Sequence, residues 1–502
     1  MKTKSYVNQI LSWLLIVVGQ IWVLSCNEGL HETQMSFSLN GVDYSTEQII
    51  GDTLDLKRLS VESKALICVN NHKDFDQIAI DGISLKDGIA NVPVHKIAKD
   101  HFLTLTWTKN GKEGKLYLRT LHSDIPDMSI EGNTTSKGDF YLSYVSLCLI
   151  QKINNNGDVV MYEYMQQDST FSGKCAGWWD FKKEGCYNNE TYYSYHAPDA
   201  NFINEGFSGF NPGMRVIFGD KYIWNADSNK VYVPYKTIHL KADPKNIVHE
   251  GDPIDGHDFY MFDENHYIVS SYVKRTSSKG KEVYAAYLQE VRNDSLIFDW
   301  WSTDYPDMEA WTDTIFKDKD GKELKDYVHF NSIDVLPDGN WLCSFRHISS
   351  ILKIDRVGRT GNILWRLGGA TGDSLYSFHG QHYVRYHEKD STITLFNNGN
   401  LPNDSIGRTQ MLSLKVDLNT GKVSKSTILH DDGYYTQACG ALTFSGENMI
   451  VGWGIPGDTI NINNRLLTEY DKSGAAIFSI SRPENKYNVN AALGSYRCVK
   501  CE

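Results

Sequence analysis

The sequence predicts an all-β chain: a six-bladed β-propeller preceded by a small N-terminal β-sandwich. Three observations lead to that class. Forty glycines with 12 Trp, 29 Tyr and 20 Phe in 502 residues exclude a disordered or coiled-coil chain and favour strands and turns. A hairpin of similar composition keeps returning along the chain. Its turn glycines at 361, 421 and 474 lie 60 and 53 residues apart, room for two hairpins per period. About 375 residues at that period give six four-stranded blades. The formal charge is 50 − 62 = −12, which gives no electrostatic reason to expect a nucleic-acid partner.

The N-terminus reads as an address. Lys2 and Lys4 precede an apolar run from Ile10 to Leu24, closed by Ser25 and Cys26. A basic start, a short apolar stretch and a small residue near its end make residues 1–25 a secretory signal. The run falls short of the ~20 apolar residues of a spanning helix. It resembles a bacterial lipobox, which implies cleavage before Cys26 and a lipid on its thiol. The expectation is an exported lipoprotein, membrane-anchored, periplasmic or at the cell surface. Loss of Lys2 and Lys4 leaves a mature charge of 48 − 62 = −14. Export permits disulfides. Cys175 and Cys186 bracket a short aromatic and charged loop and form the expected pair. Cys498 and Cys501 have no second Cys-x-x-Cys with which to hold zinc.

Residues 33–122 read as the sandwich, with strands expected at Met35–Leu39, Ala65–Val69, His101–Trp107 and Gly114–Arg119. Ser123–Gly132, proline-bearing and acidic, is the boundary, and 130–502 is the propeller. Its hairpins are expected across 153–162, 354–365, 416–423 and 470–478, with companions at 261–269, 335–342 and 444–451. Their Asp/Asn-Gly turns suit hairpins and lack the regular ligand series of a calcium loop.

Three histidines stand just before successive hairpins: His257 in Gly256-His-Asp-Phe259, His329 in Val328-His-Phe-Asn331, and His382 after Phe378-His379-Gly-Gln381. Equivalent positions of successive blades converge on one mouth of the channel, so gaps of 72 and 53 residues still predict a meeting. Arg346 follows His329 by 17 residues, a strand out, a turn and a strand back. Three imidazoles would suit zinc. A guanidinium beside them argues against a dication, and no carboxylate is linked to the set with the same regularity. Asp258 falls on the opposite strand face from His257. No metal is therefore expected. Arg with imidazoles suits a tetrahedral oxyanion, and a neutral imidazole can attack such a centre covalently. The mouth is expected to be a small cationic exception on an acidic molecule.

His329-x-Asn331-Ser-Ile, Ser344-x-Arg346, Gly361-x-Ile-x-Trp365-x-Leu-Gly-Gly369 and Gln381-His382 followed by Phe396-x-Asn-Gly399 resemble, in that order, the bacterial arylsulfate sulfotransferases. The resemblance runs over about 150–480 and is strongest over 250–400. It implies a six-bladed propeller behind a small β domain. It also implies sulfuryl transfer from an aryl sulfate to a phenol, by ping-pong through a sulfohistidine, with no nucleotide sulfate donor and no cofactor. Carried over by motif, His382 is the nucleophile, and His329, Arg346 and His257 bind the sulfuryl oxygens. His329 also protonates the leaving phenolate, and Asn331 orients one of them.

His379 either lines the mouth or caps a turn, and Tyr193, beside Tyr192 and Tyr195, is the candidate aryl contact. His249, His266, His347 and His387 read as surface or structural, and Trp365 and Gly361 as blade packing. The expected partners are an aryl sulfate, a phenol and the membrane at Cys26, with no nucleic acid. The oligomeric state stays open, a homodimer among the options. Two other classes remain: a non-catalytic surface propeller binding phenols or glycans, and a His-ligated metal-dependent hydrolase or lyase.

Overall fold

A computed structural model describes residues 35–39, 42–45, 53–56, 64–93, 102–120, 128–145, 147–157, 159–164, 177–198, 212–219, 223–225, 230–232, 235–311, 325–368, 375–400, 407–457, 465–482 and 494–501. Helix among these is limited to a turn at Asp307–Ala310 and 3-10 turns at His72–Asp74 and Ser302–Asp304. The chain divides into two units, one holding residues 1–125 with 159–161 and 220–234, the other holding the rest.

In the first unit, two sheets enclose one core. Ser36–Leu39 alternates half-buried and buried, which sends Phe37 and Leu39 inward. They meet Ile67 of one sheet and Leu103, Leu105, Leu116 and Leu118 of the other. Asn110 and Gly111, at φ 53° and 73°, turn Phe102–Lys109 back onto Lys112–Thr120, as Asn-Gly prefers. Alternation did not reveal Thr53–Leu56, which runs parallel to Lys112–Thr120.

Among the described residues the second unit contains six antiparallel sheets of four or five strands in chain order, and a two-stranded ribbon of Thr436–Ala438 with Ile455–Pro456. The first pairs Asp139–Tyr144 with Leu149–Ile153 on one side and with Ser495–Cys501 on the other. The second begins at Trp179–Tyr187, the third at Tyr260–Asp263 and the fourth at Phe330–Val335. The fifth begins at His382–His387 and the sixth at Ala441–Ser445. Ser129–Gly132 adds an outer strand to the sixth. All seven hairpins expected from the sequence are formed. First strands touch in sequence from the second sheet to the sixth, then Ser495–Cys501, which in turn meets Trp179–Tyr187.

Apolar layers fill the spaces between neighbouring sheets. Trp300, Trp341 and Phe345 pack between the third and fourth, and Leu342, Leu367 and Leu395 between the fourth and fifth. Each such side chain contributes roughly 1.5–3 kcal/mol by leaving water. A recurrent clamp adds direction. Trp300 Nε1 donates to the Gly361 carbonyl at 3.0 Å, and Trp365 Nε1 donates to the Leu418 carbonyl at 2.8 Å. The turn glycine Gly421 lies under that second indole, where a Cβ would sit 2.7 Å from Trp365 Cγ.

Candidate active site

His257 precedes the first strand of the third sheet, His329 that of the fourth, and His382 opens that of the fifth. The repeat therefore brings all three to one end of neighbouring strands. His257 and His329 stand edge to face with ring centres 4.7 Å apart. The charges of Arg346, His329 and His257 all act on His382. The corresponding starts of the other three sheets supply Trp179, Cys439 and Tyr496, which pack together. Trp179 stacks on Tyr496 at 4.9 Å, and the Tyr496 hydroxyl donates to the His257 carbonyl at 2.8 Å.

His382 is buried, and its ring is fixed by groups whose polarity is known. Asn398 Nδ2 donates to the carbonyls of Thr436 and Cys439, so its Oδ1 faces the imidazole. Nδ1 of His382 lies 2.7 Å from that oxygen and 3.1 Å from the Gly380 carbonyl. Two acceptors make Nδ1 the N–H donor. The backbone N–H of Cys439 approaches Nε2 at 3.3 Å, which requires a lone pair there. Burial, and then the charge of Arg346, hold His382 well below the usual histidine range.

Carboxylates do accompany the set, which corrects the sequence reading. Asp255 Oδ1 sits 2.6 Å from His257 Nδ1, and its other oxygen takes the Ser270 hydroxyl at 3.1 Å. Asp326 bonds His329 Nδ1 with one oxygen and accepts the His329 backbone N–H at 3.1 Å with the other. The signal was present as Asp-x-His and Asp-x-x-His ahead of two successive strands. His329 has φ 51°, a left-handed backbone that costs an ordinary residue about 1–2 kcal/mol. Asp326 and the Arg346 N–H, donating to the His329 carbonyl at 2.7 Å, hold it there.

His347 takes the structural of its two expected places. It is buried beside His329, ring centres 4.3 Å apart, with Nδ1 donating to the Asp326 carbonyl at 2.6 Å. Burial pushes both His329 and His347 well below the usual histidine range. The same burial raises the Asp326 carboxyl to about 6. Burial thus disfavours the charged form of His329, His347 and His382. Arg346 supplies the cation, and burial lowers it only to about 10.

Asp326, His329 and His347 lie close enough to share a metal ion. One Asp326 oxygen is engaged by His329 Nδ1 and the Asp326 carbonyl by His347 Nδ1, and the charge of Arg346 acts on both rings.

The remaining expected residues separate. Arg346 Nη2 donates to the Gln437 carbonyl at 3.0 Å and leans toward Asn400 Oδ1 at 3.5 Å. Asn331 is fully buried, and its Nδ2 donates to the Gln381 carbonyl at 2.6 Å. It braces the residue before His382. Gln381 is itself tied to Ser344 Oγ and the carbonyls of Phe345 and Ser350. His379 caps a turn, its carbonyl accepting the Gly399 and Asn400 N–H groups. Tyr193 packs with Tyr141, Phe181 and Phe218 inside the sheet layers.

Beneath the histidines lies a buried ion network. Asp258 accepts Lys182 at 2.7 Å, Arg497 at 3.0 Å and Arg385 at 2.9 Å, joining residues of four sheets.

The expected Cys175–Cys186 disulfide is overturned. Cys186 is a free, exposed thiol near the tip of the Trp179–Tyr187 strand, whereas Cys148 is disulfide-bonded. Cys175, Cys26 and the signal segment lie outside the described residues.

The pattern of the arylsulfotransferase (ASST) family matches residues 221–481. No curated protein matches the chain. Among solved structures, a protein of unknown function from Bacteroides caccae is 10% identical, covering 72% of this chain and 98% of its own, with a TM-score of 0.37. The periplasmic gluconolactonase of Pseudomonas aeruginosa is 11% identical, covering 70% and 96%, with a TM-score of 0.35.

Proposed function

The chain belongs to the arylsulfotransferase family, and from that premise we propose that it moves a sulfuryl group from an aryl sulfate to a phenol by ping-pong through a sulfohistidine at His382. The observation that carries this reading is the tautomer of His382. Asn398 Oδ1 accepts a hydrogen bond from Nδ1–H, which leaves Nε2 with the lone pair on a ring that burial keeps uncharged.

In the first half-reaction Nε2 attacks sulfur, the S–O bond to the aryl group breaks, and the phenolate leaves with the electron pair. Arg346 balances charge on the sulfuryl oxygens, and His329 supplies the proton to the leaving oxygen. In the second half-reaction an incoming phenol gives its proton to His329 and attacks the sulfur, and the S–N bond breaks. Preorganised donors that need no rearrangement suit such charge redistribution. His257 closes the oxygen-binding side with its ring held by Asp255.

We read the six sheets as blades of one closed propeller, a reading supported by the cyclic order of contacts among their first strands. Lipidation at Cys26 and export complete the proposal, and Cys26→Ala should move the protein from the membrane fraction to the soluble one.

Incubation with 4-nitrophenyl sulfate and a phenol acceptor tests the chemistry. The parent should sulfate the acceptor, and a sulfo-adduct should be trapped on a peptide containing His382. His382→Asn should yield neither product. An unsulfated acceptor with the parent, or an equally active variant, would sink the proposal.

A further inference from the structure

Resting on that reading, we propose that Asn400 is a positioning residue: it clasps the segment Tyr435–Cys439 and so fixes where the Arg346 guanidinium stands relative to His382 Nε2. The segment touches both groups. The Gln437 carbonyl accepts Arg346 Nη2 at 3.0 Å, and two residues on the Cys439 N–H approaches His382 Nε2 at 3.3 Å. Whatever sets this segment therefore sets the spacing of the cation and the nucleophile.

Two asparagines that follow the strand Thr392–Asn397 hold it. Asn398 Nδ2 donates to the carbonyls of Thr436 and Cys439 at 3.0 and 3.1 Å. Asn400 Nδ2 donates to the Tyr435 hydroxyl at 2.9 Å and to the Gln437 carbonyl at 3.1 Å. A carbonyl only accepts, so the Asn400 amide nitrogen faces the segment and its Oδ1 turns to Arg346 Nη2 at 3.5 Å. The Gln437 carbonyl has two lone pairs, one for Asn400 and one for Arg346. The Tyr435 phenol also lies close enough to act on the charge of Arg346.

The ribbon offers little hold of its own, since Thr436–Ala438 meets only Ile455 and Pro456. Two glycines make room for the clasp. A Cβ at Gly380 would stand 2.0 Å from Asn400 Oδ1, and one at Gly457 would stand 2.2 Å from Tyr435 Cε1. Backbone bonds tie both ends, Asn400 N–H to the His379 carbonyl at 3.3 Å and Gly457 N–H to the Tyr435 carbonyl at 3.1 Å. A long arginine side chain restrained before the sulfate ester arrives loses less freedom on binding it.

A brace of the fold and a brace of Arg346 differ in whether Asn400 still matters once the guanidinium is gone. Asn400→Ala should lower kcat/KM for 4-nitrophenyl sulfate about 10–100-fold, the scale of a small misplacement. Added to Arg346→Lys, whose ammonium lacks the planar fork, the same change should cost less than about threefold. Equal losses on both backgrounds would overturn the proposal. Calorimetric binding of 4-nitrophenyl sulfate, with all variants built on His382→Asn, repeats the comparison without turnover, with the same two outcomes. If Asn400→Ala does not fold, as judged by its thermal transition, Tyr435→Phe removes only the hydroxyl and carries the comparison instead. A parent that binds the ester but transfers no sulfuryl group defeats the underlying function, while the calorimetric comparison still decides the clasp.

Discussion

The backbone N–H of Cys439 points at Nε2 of His382 from 3.3 Å, on the far side of the ring from the Asn398 contact. Cys439 itself sits at φ 63°, a left-handed backbone that ordinary residues avoid. The fifth and sixth sheets thus jointly set the ring's proton arrangement. Asn398→Leu removes the closer Nδ1 acceptor and leaves the weaker 3.1 Å Gly380 carbonyl to orient the ring. Its kcat should fall roughly 10²–10³-fold, comparable to losing an oxyanion donor, with KM for the donor nearly unchanged. Steady-state kinetics on 4-nitrophenyl sulfate reads this directly, and an unchanged kcat would refute it.

The depressed proton affinity of His382 has a pH signature. An ordinary histidine would be half protonated near about pH 6.5 and lose nucleophilicity below it. Because burial and Arg346 hold His382 well below that range, the free base persists as pH falls. The nitrophenol burst from 4-nitrophenyl sulfate should therefore stay within about twofold between pH 7 and 5.5. A tenfold decline over that interval would contradict the assigned environment.

Asp258 is held well below the usual carboxylate range: burial opposes this, but Arg385, Arg497 and Lys182 outweigh it. A folded-state value below the unfolded one stabilises above the unfolded pKa and is lost as pH falls through the folded one. Asp258→Asn removes a buried carboxylate shared by three cations, leaving Lys182 and Arg497 to Asp180, and Arg385 without its ion pair, and should cost about 3–5 kcal/mol at neutral pH. Denaturant titrations should show the gap between parent and variant narrowing below about pH 4.

Gly421 has φ 70° and lies against the Trp365 ring. Gly421→Ala combines an unfavourable backbone with a displaced indole and should destabilise by about 2 kcal/mol or more. A midpoint shift of a few tenths of a kcal/mol would show that the clamp carries less than its geometry implies.

Thiol labelling checks the cysteine assignment. Cys186 should react with maleimide in the native protein, while Cys343 and Cys498, both buried, should wait for denaturant. Mass mapping that finds Cys186 in a disulfide would reverse this result.

Much of this architecture was legible because turn chemistry is local. Asn110-Gly111 and the turn glycines at 361, 421 and 474 all take the positive φ that two-residue and bulged hairpins demand. The recurrence of His257, His329 and His382 before like strands made their meeting readable as well. What escaped were contacts with no fixed period. Asp255 and Asp326 stand two and three residues ahead of their histidines, in irregular loops rather than strands. His347 follows a strand end where a single turn returns it inward, and neighbouring Arg346 masked its signal. Tyr193 looked like an aryl contact because aromatic residues read alike in sequence, whether they line a mouth or fill a sheet layer. Cys148 lay outside the conspicuous loop that suggested its rival.

The strand Ser495–Cys501 is the last of the described strands in the chain, yet it completes the first sheet. It carries Tyr496, which holds the His257 backbone, and Arg497, which pairs with both Asp180 and Asp258. Without that strand the histidine centre would lack one wall and its ion network one cation, so truncation before Ser495 is expected to abolish function along with the first sheet's edge.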